Sequence, residues 1–477
     1  MSILKKEYLE LDESQSFDVT WQYEENIFAG KIFLSKKEIK IKFTGEMRHG
    51  RQFPLFSIPD DTLTCFSFTD TFILHNLKPL NGSSRHLDRY TTFFECEYSV
   101  EYLIFLPTTY NEKKCDFDSI TIHSIMINDW VGITKKQQQI LQRHINGDNL
   151  FKNTMDLDQI SCEINTGLSL TIEYNLSTHH SVKNFNYGFE YSPSLSLYFE
   201  SKQPSSSIKN TFDHIYSLLG FLNGGDFPVK KVPLRFTQHG YVMHGYLYFP
   251  TEQEHQGKKH SYSFFPLGHD LAFDTLGLPS LPLCVFENFF SLDEKHKSLF
   301  CKLLKYRRME NIEERFLGYF RLLESLCHNT KCHIDADALN VLIGRAKPFM
   351  KKYFNDSKGV SSFLNGLPRY NRSKYNTEKC ISDFYKKIPQ IVTDNWDFNS
   401  KNIKDVCTLR NDITHANNFY IEESEIIKKT SFVEALLIFA LGEKIGINVD
   451  IMATVIHRMT GYHVLMKSDA YCVRTSN

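Results

Sequence analysis

Along roughly the first 200 residues apolar and polar positions alternate with period two, the pattern of strands that turn one face inward. Segments 16–23, 30–35 and 38–45 alternate most regularly. Segments 66–77, 91–106, 118–127, 167–176 and 192–200 continue the series, rich in Phe, Tyr, Ile and Thr. Strands without helices between them predict an antiparallel sandwich or barrel rather than a parallel α/β sheet. At 207–224 the period becomes helical. Ile208, Phe212, Ile215, Leu218 or Leu219, and Phe221 or Leu222 recur on one side, and Gly224 or Gly225 stands where the helix ends. Strands return at 232–238 and 241–250. A polar loop follows at 251–263, and the Phe-, Leu- and Pro-rich stretch 264–290 reads as an irregular connection.

From Leu292 the apolar period is that of helices. They are expected at 294–308, 314–328, 336–354, 378–392, around 399–415, and 425–446. In the last, Ile426, Val433, Leu437, Ala440 and Leu441 make one stripe. Pro348 and Pro389 mark kinks or ends. The pattern therefore predicts an α+β protein in two parts. Residues 1–290 form an antiparallel β-rich region of one or two subdomains, and 291–477 form an all-α bundle of about six helices.

Composition agrees with packed cores: of 477 residues, 42% are hydrophobic, including 39 Phe and 24 Tyr. The net charge of −1 hides an asymmetry. Residues 291–477 carry +7 and residues 1–290 carry −8, with +8 concentrated in 341–390. A basic half suits a phosphate-rich partner, and it equally lets the two halves attract each other. The 11 cysteines are odd in number and follow no regular framework. The N-terminal residues hold no signal-peptide core, and no run of apolar residues is long enough for a membrane span. A reduced, cytoplasmic protein without a membrane segment is expected.

The stretch with most chemistry is 399–418. Asn399 or Ser400 can cap a helix there; Ile403, Val406 or Cys407, and Leu409 or Ile413 give its apolar stripe; Arg410, Asn411, Thr414 and His415 are polar. Asn411 and His415 stand about 40° apart, while Arg410 stands about 140° from His415. Arg410 and His415 converge only if the helix ends near Thr414 or a second copy presents the same motif. Histidine transfers protons near neutral pH, and arginine stabilises charge on phosphate oxygens. Attack of a ribose 2′-OH on its neighbouring phosphate needs both, and an amide such as Asn411 can orient either. The spacing occurs again as Arg458…His463, interrupted by Gly461 and lacking the Asn, and Arg321…His328 is a looser pair. Spacing alone also fits a capped surface helix.

Arg-Asn-x-x-x-His near the end of a helix, in a C-terminal helical bundle, resembles the HEPN superfamily of ribonucleases. Arg410, Asn411 and His415 fill that motif. Glu314 to His328 is similar to the early bundle helix of ApeA-type HEPN proteins, with Glu324 at the position where that group carries an acidic residue. The β-rich N-terminal region is similar to that group in length and pattern only. The resemblance implies an HEPN-type bundle, a metal-independent endoribonuclease without cofactor, and catalytic roles for Arg410, Asn411 and His415. It further implies a homodimer or higher homo-oligomer and abortive anti-phage defence. There host RNA, with tRNA the candidate target, is cut on infection. The β-rich region is expected to sense or bind a trigger, a phage-encoded protein being the candidate, or to hold the nuclease quiet. Glu324 would support the active site or, as on many helices, simply pair with a neighbouring cation.

Two other groups carry chemistry. Arg369, Tyr370, Arg372 and Lys374, in an expected loop between helices, interleave cations and aromatics as RNA-binding segments do, or are a solvated basic loop. Cys327, His328, Cys332 and His333 suit zinc by type, but their spacing matches no common finger, and buried cysteines with surface histidines is the plainer reading. There is no phosphate loop, nucleotide fingerprint or serine nucleophile elbow. The alternative class of function is a non-catalytic RNA- or protein-binding or dimerisation module joined to a β-rich recognition domain.

Overall fold

The computed structural model describes residues 8–467 apart from 24–25, 49–61, 111–114, 148–157, 165–166, 182–185, 252–261, 275, 330, 373–375 and 416–419. Lys374 and most of the polar loop at 251–263 therefore lie outside the described residues. The chain divides into two compact units, Met1–Leu304 and Lys305–Asn477.

The first unit is built on strands β1 (Gln15–Tyr23), β2 (Asn26–Leu34), β3 (Ile39–Arg48), β4 (Thr62–Phe66), β5 (Thr71–His75), β6 (Lys78–His86) and β7 (Thr91–Val100). They are followed by β8 (Tyr102–Leu106), β9 (Asp116–Ile122), β10 (Asp158–Ile164), β11 (Leu168–Ser181), β12 (Asn186–Pro204), β13 (Val232–Gln238) and β14 (Tyr241–Tyr248). Their hydrogen bonds run as one sheet in the order β10-β11-β12-β9-β13-β14-β8-β5-β4-β1-β2-β3-β7-β6, joined between β4 and β1, among the described residues, only at Thr20 and Phe66. Neighbouring strands are antiparallel. In β3, Ile39, Ile41 and Phe43 are buried while Lys40 and Lys42 reach solvent, the alternation of a one-faced strand. Gly30 and Gly45 make room for aromatic rings: a Cβ on them would stand 2.6 Å from a Phe43 ring carbon and 2.4 Å from one of Phe28.

Three strand expectations need correction. Segment 66–77 is not one strand: it opens on the last residue of β4 and resumes as β5, because Ser67 and Asp70 close a tight turn between them with N–H to carbonyl and hydroxyl to carboxylate bonds of 2.9 Å each. The fully exposed Phe68 at its tip had disguised it as strand. Segment 91–106 breaks at Glu101 into β7 and β8. Segment 118–127 ends as a strand at Ile122: the Ser124 hydroxyl accepts the Met126 N–H and starts helix α1 (Ile125–Val131). A further helix, α2 (Lys135–Ile145), follows. The expected helix is α3 (Ser205–Asn223), closed by Gly224 in the left-handed conformation, with Ile208, Phe212, Ile215, Leu218, Leu219 and Leu222 buried. Within 264–290, α4 (Cys284–Ser291) begins.

Helix α5 (Glu294–Arg307) carries the chain into the second unit. That unit contains α6 (Ile312–Cys327), α7 (Ala336–Phe354), α8 (Ser357–Asn371), α9 (Thr377–Tyr385), α10 (Gln390–Thr393), α11 (Asn402–Thr414), α12 (Glu423–Lys444) and α13 (Val449–Val455). Pro348 lies inside a continuous α7, whereas Pro389 caps α10 and ends the expected 378–392 helix early. The stripe expected for α12 is too narrow: from Thr430 to Gly442 nearly every side chain is buried, so α12 is the bundle's central helix. The exception is Glu434, which accepts from Arg307 Nε at 2.8 Å, the two side chains only 14% and 13% exposed. Tyr385, Trp396, Phe398 and Tyr462 pack around Phe432 and each other, with the Phe398 and Phe432 rings stacked at 4.9 Å. No helix among the described residues is long and apolar enough to cross a membrane.

His75, in the sheet core, stacks on Tyr102 at 4.5 Å, and its Nε2 is buried without a partner. Burial pushes its imidazole from 6.5 down to about 4. Burial and the neighbouring Lys231 and Lys230 hold His123 at about 4 as well. The unfolded imidazoles take protons before the folded ones. Their contribution to stability is therefore complete above about pH 6.5, falls as pH drops towards 4, and levels below that, His75 alone accounting for about 3 kcal/mol. Urea unfolding of the full chain at several pH values should show this slope. His75→Phe, which keeps the stacked ring, should make it shallower; an unchanged slope would contradict the assignment.

Candidate active site

The site grows from three helix segments of the second unit. Asn399 turns the chain ahead of α11: its side chain accepts the Lys401 N–H, and its own N–H donates to Asn402 Oδ1, both at 2.9 Å. The cap position itself is Lys401, without a side-chain cap bond, rather than Asn399 or Ser400. Ile403, Val406 and Leu409 bury one face of α11. Cys407, beside the site, is pushed up to about 12 by burial. The helix ends at Thr414, leaving His415 as its C-cap with φ −95° and its N–H on the Asn411 carbonyl at 2.9 Å.

Arg410 is held from several directions. Its Nη2 lies 3.2 Å from Glu324 Oε2 of α6, and its Nη1 donates to Asn411 Oδ1 at 3.0 Å. Its guanidinium also sits 5.7 Å from the centre of the Phe320 ring. The other Glu324 oxygen accepts from the Thr377 hydroxyl at 2.7 Å, at the start of α9. Asn376 caps that helix through the Lys379 N–H. Arg410, Asn411, Glu324, Phe320 and Thr377 line a cavity of about 210 Å³. That is below the roughly 300–1,000 Å³ of ordinary small-molecule pockets, and the hollow has room for a phosphodiester. Two of the five N–H donors of Arg410 are engaged by these contacts, and the others remain to meet an anion.

The structure thus brings together Arg410, Asn411 and Glu324. It does not bring in His415, which is exposed at the helix end and outside the cavity lining. Across α11 a second hollow of about 560 Å³ is lined by Asp405, Asp412, Glu422 and Glu425 and by Lys429, which pairs with Glu425 at 3.3 Å, a net acidic face that disfavours phosphate. In the other motif match, Arg458 and His463 sit on separate 3-10 turns on either side of Gly461 at φ 79°. Arg321 lies on α6, and His328 is that helix's C-cap.

Arg369 and Tyr370 belong to the last turn of α8, and Arg372 is its C-cap, so the expected loop is a helix end. The Arg372 N–H still reaches the Pro368 carbonyl at 3.2 Å, and Asn371 fixes the end by two 2.9 Å bonds to the backbone of Ile334. Cys327, His328, Cys332 and His333 do not gather. Cys327 is half-buried, desolvation pushing its thiol up to about 12, and His333 stacks on Tyr370 at 5.6 Å. Among the described residues no three metal-binding side chains converge. Sequence reasoning missed Phe320 and Thr377. Phe320, one turn before Glu324, was available from helical spacing; Thr377, 53 residues from Glu324, was not.

Comparison with known proteins adds two matches. The family described as ApeA N-terminal domain 1 matches residues 16–280, and that described as Apea-like HEPN matches residues 317–451. No curated protein and no solved structure matches the chain.

The Arg410–Glu324 pair is partly exposed, 29% and 30%, so it contributes at most about 1 kcal/mol to stability. Glu324→Gln should therefore leave the melting temperature nearly unchanged while loosening Arg410. An RNA-binding assay should find a larger loss of affinity than of stability if Arg410 meets phosphate here; an unchanged affinity would make the pair merely structural.

Proposed function

The chain belongs to the ApeA family, and from that premise we propose that its helical unit is an endoribonuclease effector of anti-phage defence. HEPN domains are generally ribonucleases. The observation that carries the reading is Arg410, fixed by Glu324 and Asn411 at the wall of a phosphate-sized cavity. In this reading an RNA phosphodiester enters the cavity with a non-bridging oxygen on the guanidinium. The 2′-OH attacks the phosphorus, and Arg410 stabilises the negative charge of the pentacoordinate phosphorane. His415 moves a proton, either from the 2′-OH or to the departing 5′-oxygen. Asn411 holds the guanidinium to its edge.

The reaction has two proton transfers, and one chain offers one motif histidine, set outside its own cavity. A two-fold pair of chains supplies a second His415 and removes the difficulty. None of the roles assigned to these residues calls for a metal ion, so cleavage in EDTA belongs to the reading. Host RNA, with tRNA the candidate target, is the substrate. The β-rich unit receives the trigger, a phage-encoded protein.

A second reading is favoured by the exposure of His415: the helical unit holds RNA or a partner without cutting it. Purified protein separates the two. Wild type should cleave total RNA in EDTA, and Arg410→Ala and His415→Ala, if still folded, should lose about 100-fold or more in rate. Full activity in both variants, or strict dependence on magnesium, would contradict the nuclease reading.

A further inference from the structure

Between the two walls of the cavity the chain makes an excursion. Glu324 closes one side near the end of α6, Thr377 closes the other at the start of α9, and α7 and α8 lie between them. The excursion is pinched at its base. The His333 N–H donates to the Asn371 carbonyl, and the Asn371 side chain bonds both backbone groups of Ile334, all at 2.9 Å. The two helices pack chiefly on each other. Buried side chains are few, Leu339 on α7 and Val360, Leu364 and Asn371 on α8. The result is an arm that leaves the bundle at the rim of the candidate site.

Its surface is unusual in two ways. Large aromatic rings face solvent: Phe349 is 71% exposed, Tyr353 73%, Phe363 60% and Tyr370 70%. A soluble protein hides such rings unless they meet something. The arm also carries six cations against two carboxylates, Asp337 and Asp356, over residues 336–371. Among the described residues none of the six, Arg345, Lys347, Lys351, Lys352, Lys358 and Arg369, forms an ion pair, whereas Lys379, Lys386, Lys387 and Lys429 of the same unit do. On α7, Arg345, Phe349, Lys352 and Tyr353 fall within about 100° of arc, so rings and cations share a face. On α8, Phe363 and Tyr370 are about 20° apart. Phe349 and Tyr353 already stack, centroids 6.2 Å apart.

We propose that the α7–α8 arm is the substrate-holding surface of the candidate site and that it takes unpaired RNA. Bases stack on Phe349 and Tyr353 and on Phe363 and Tyr370, while Arg345, Lys352 and Arg369 neutralise the phosphates between them. Cations interleaved with exposed rings are what a flexible polyanion with planar bases requires. A second copy of the arm would bring like charge against like charge. The inference rests on the reading that the helical unit acts on RNA, and it adds where the strand lies and that it is single-stranded there.

The test uses full-length chain carrying His415→Ala, so that bound RNA is not cut. Fluorescence anisotropy follows a labelled single-stranded oligouridine and, separately, an RNA duplex, over a salt series. Phe349→Ala with Tyr353→Ala should weaken single-strand binding about tenfold or more and duplex binding far less. The conservative Phe349→Tyr should keep wild-type affinity, which separates stacking from a folding defect. Arg345→Glu with Lys352→Glu should weaken binding to both RNAs and lower the single-strand salt slope by about one or more. Unchanged affinity in all variants would overturn the proposal. So would variants that bind RNA normally but lose self-association or binding to vesicles of equal phosphatidylcholine and phosphatidylserine. Failure of the nuclease reading looks different: wild type would leave total RNA intact while the arm variants still lost RNA binding.

Discussion

A guanidinium that must be both fixed and available sets the terms for the helical unit. Arg410 is fixed by a carboxylate that is itself fixed, because the second oxygen of Glu324 is occupied by the Thr377 hydroxyl. Three helices, α6, α9 and α11, must keep their places for that chain of contacts to exist. The pair is too exposed to stabilise the fold appreciably. What it supplies is direction, a cation held at a cavity wall with donors to spare. Another arginine–glutamate pair of the unit, Arg307 with Glu434, is its opposite. Nearly buried beside the central helix, it is structural, and removing either partner would strand a charge in the bundle.

Holding Arg410 in this way has a consequence for His415. The helix that carries both ends one residue before the histidine, and the two side chains leave it in directions that a regular helix separates by about 140°. A single chain therefore presents a cation facing its cavity and an imidazole facing solvent. In the proposed function, two chains set about a two-fold axis would turn that separation into complementarity, each histidine completing the other chain's pocket. The net acidic hollow on the far side of α11 disfavours phosphate and leaves the α6–α9 side as the approach. The α7–α8 arm springs from that side.

Much of this was legible in the sequence, and the parts that were not have physical reasons. The change of period near Leu292 separates strands from helices because one-faced strands and one-striped helices write different periods. α3 and α11 were visible for the same reason. The turn at Ser67–Asp70 was not, because Phe68 at its tip continues the alternation. The extent of the sheet was hidden too, since hydrogen-bonded neighbours such as β9 and β13 lie far apart in the chain. α12 was read as striped although it is buried on all sides, because Glu434, the polar residue that interrupts it, is satisfied by Arg307. At the candidate site, Arg410 and Asn411 were marked by their own chemistry. Thr377 was not, as its contact with Glu324 depends on how the arm between them folds back.

The chemistry of the cut ends is the most direct test of a site built on Arg410 and His415. RNA ends would be mapped in cells expressing wild type or the His415→Ala variant, with and without enzymatic repair of the termini. Wild-type cells should accumulate fragments ending in 2′,3′-cyclic phosphate and beginning with 5′-hydroxyl, absent with the variant. Fragments with 3′-hydroxyl and 5′-phosphate, or the same cyclic ends with and without His415, would contradict it.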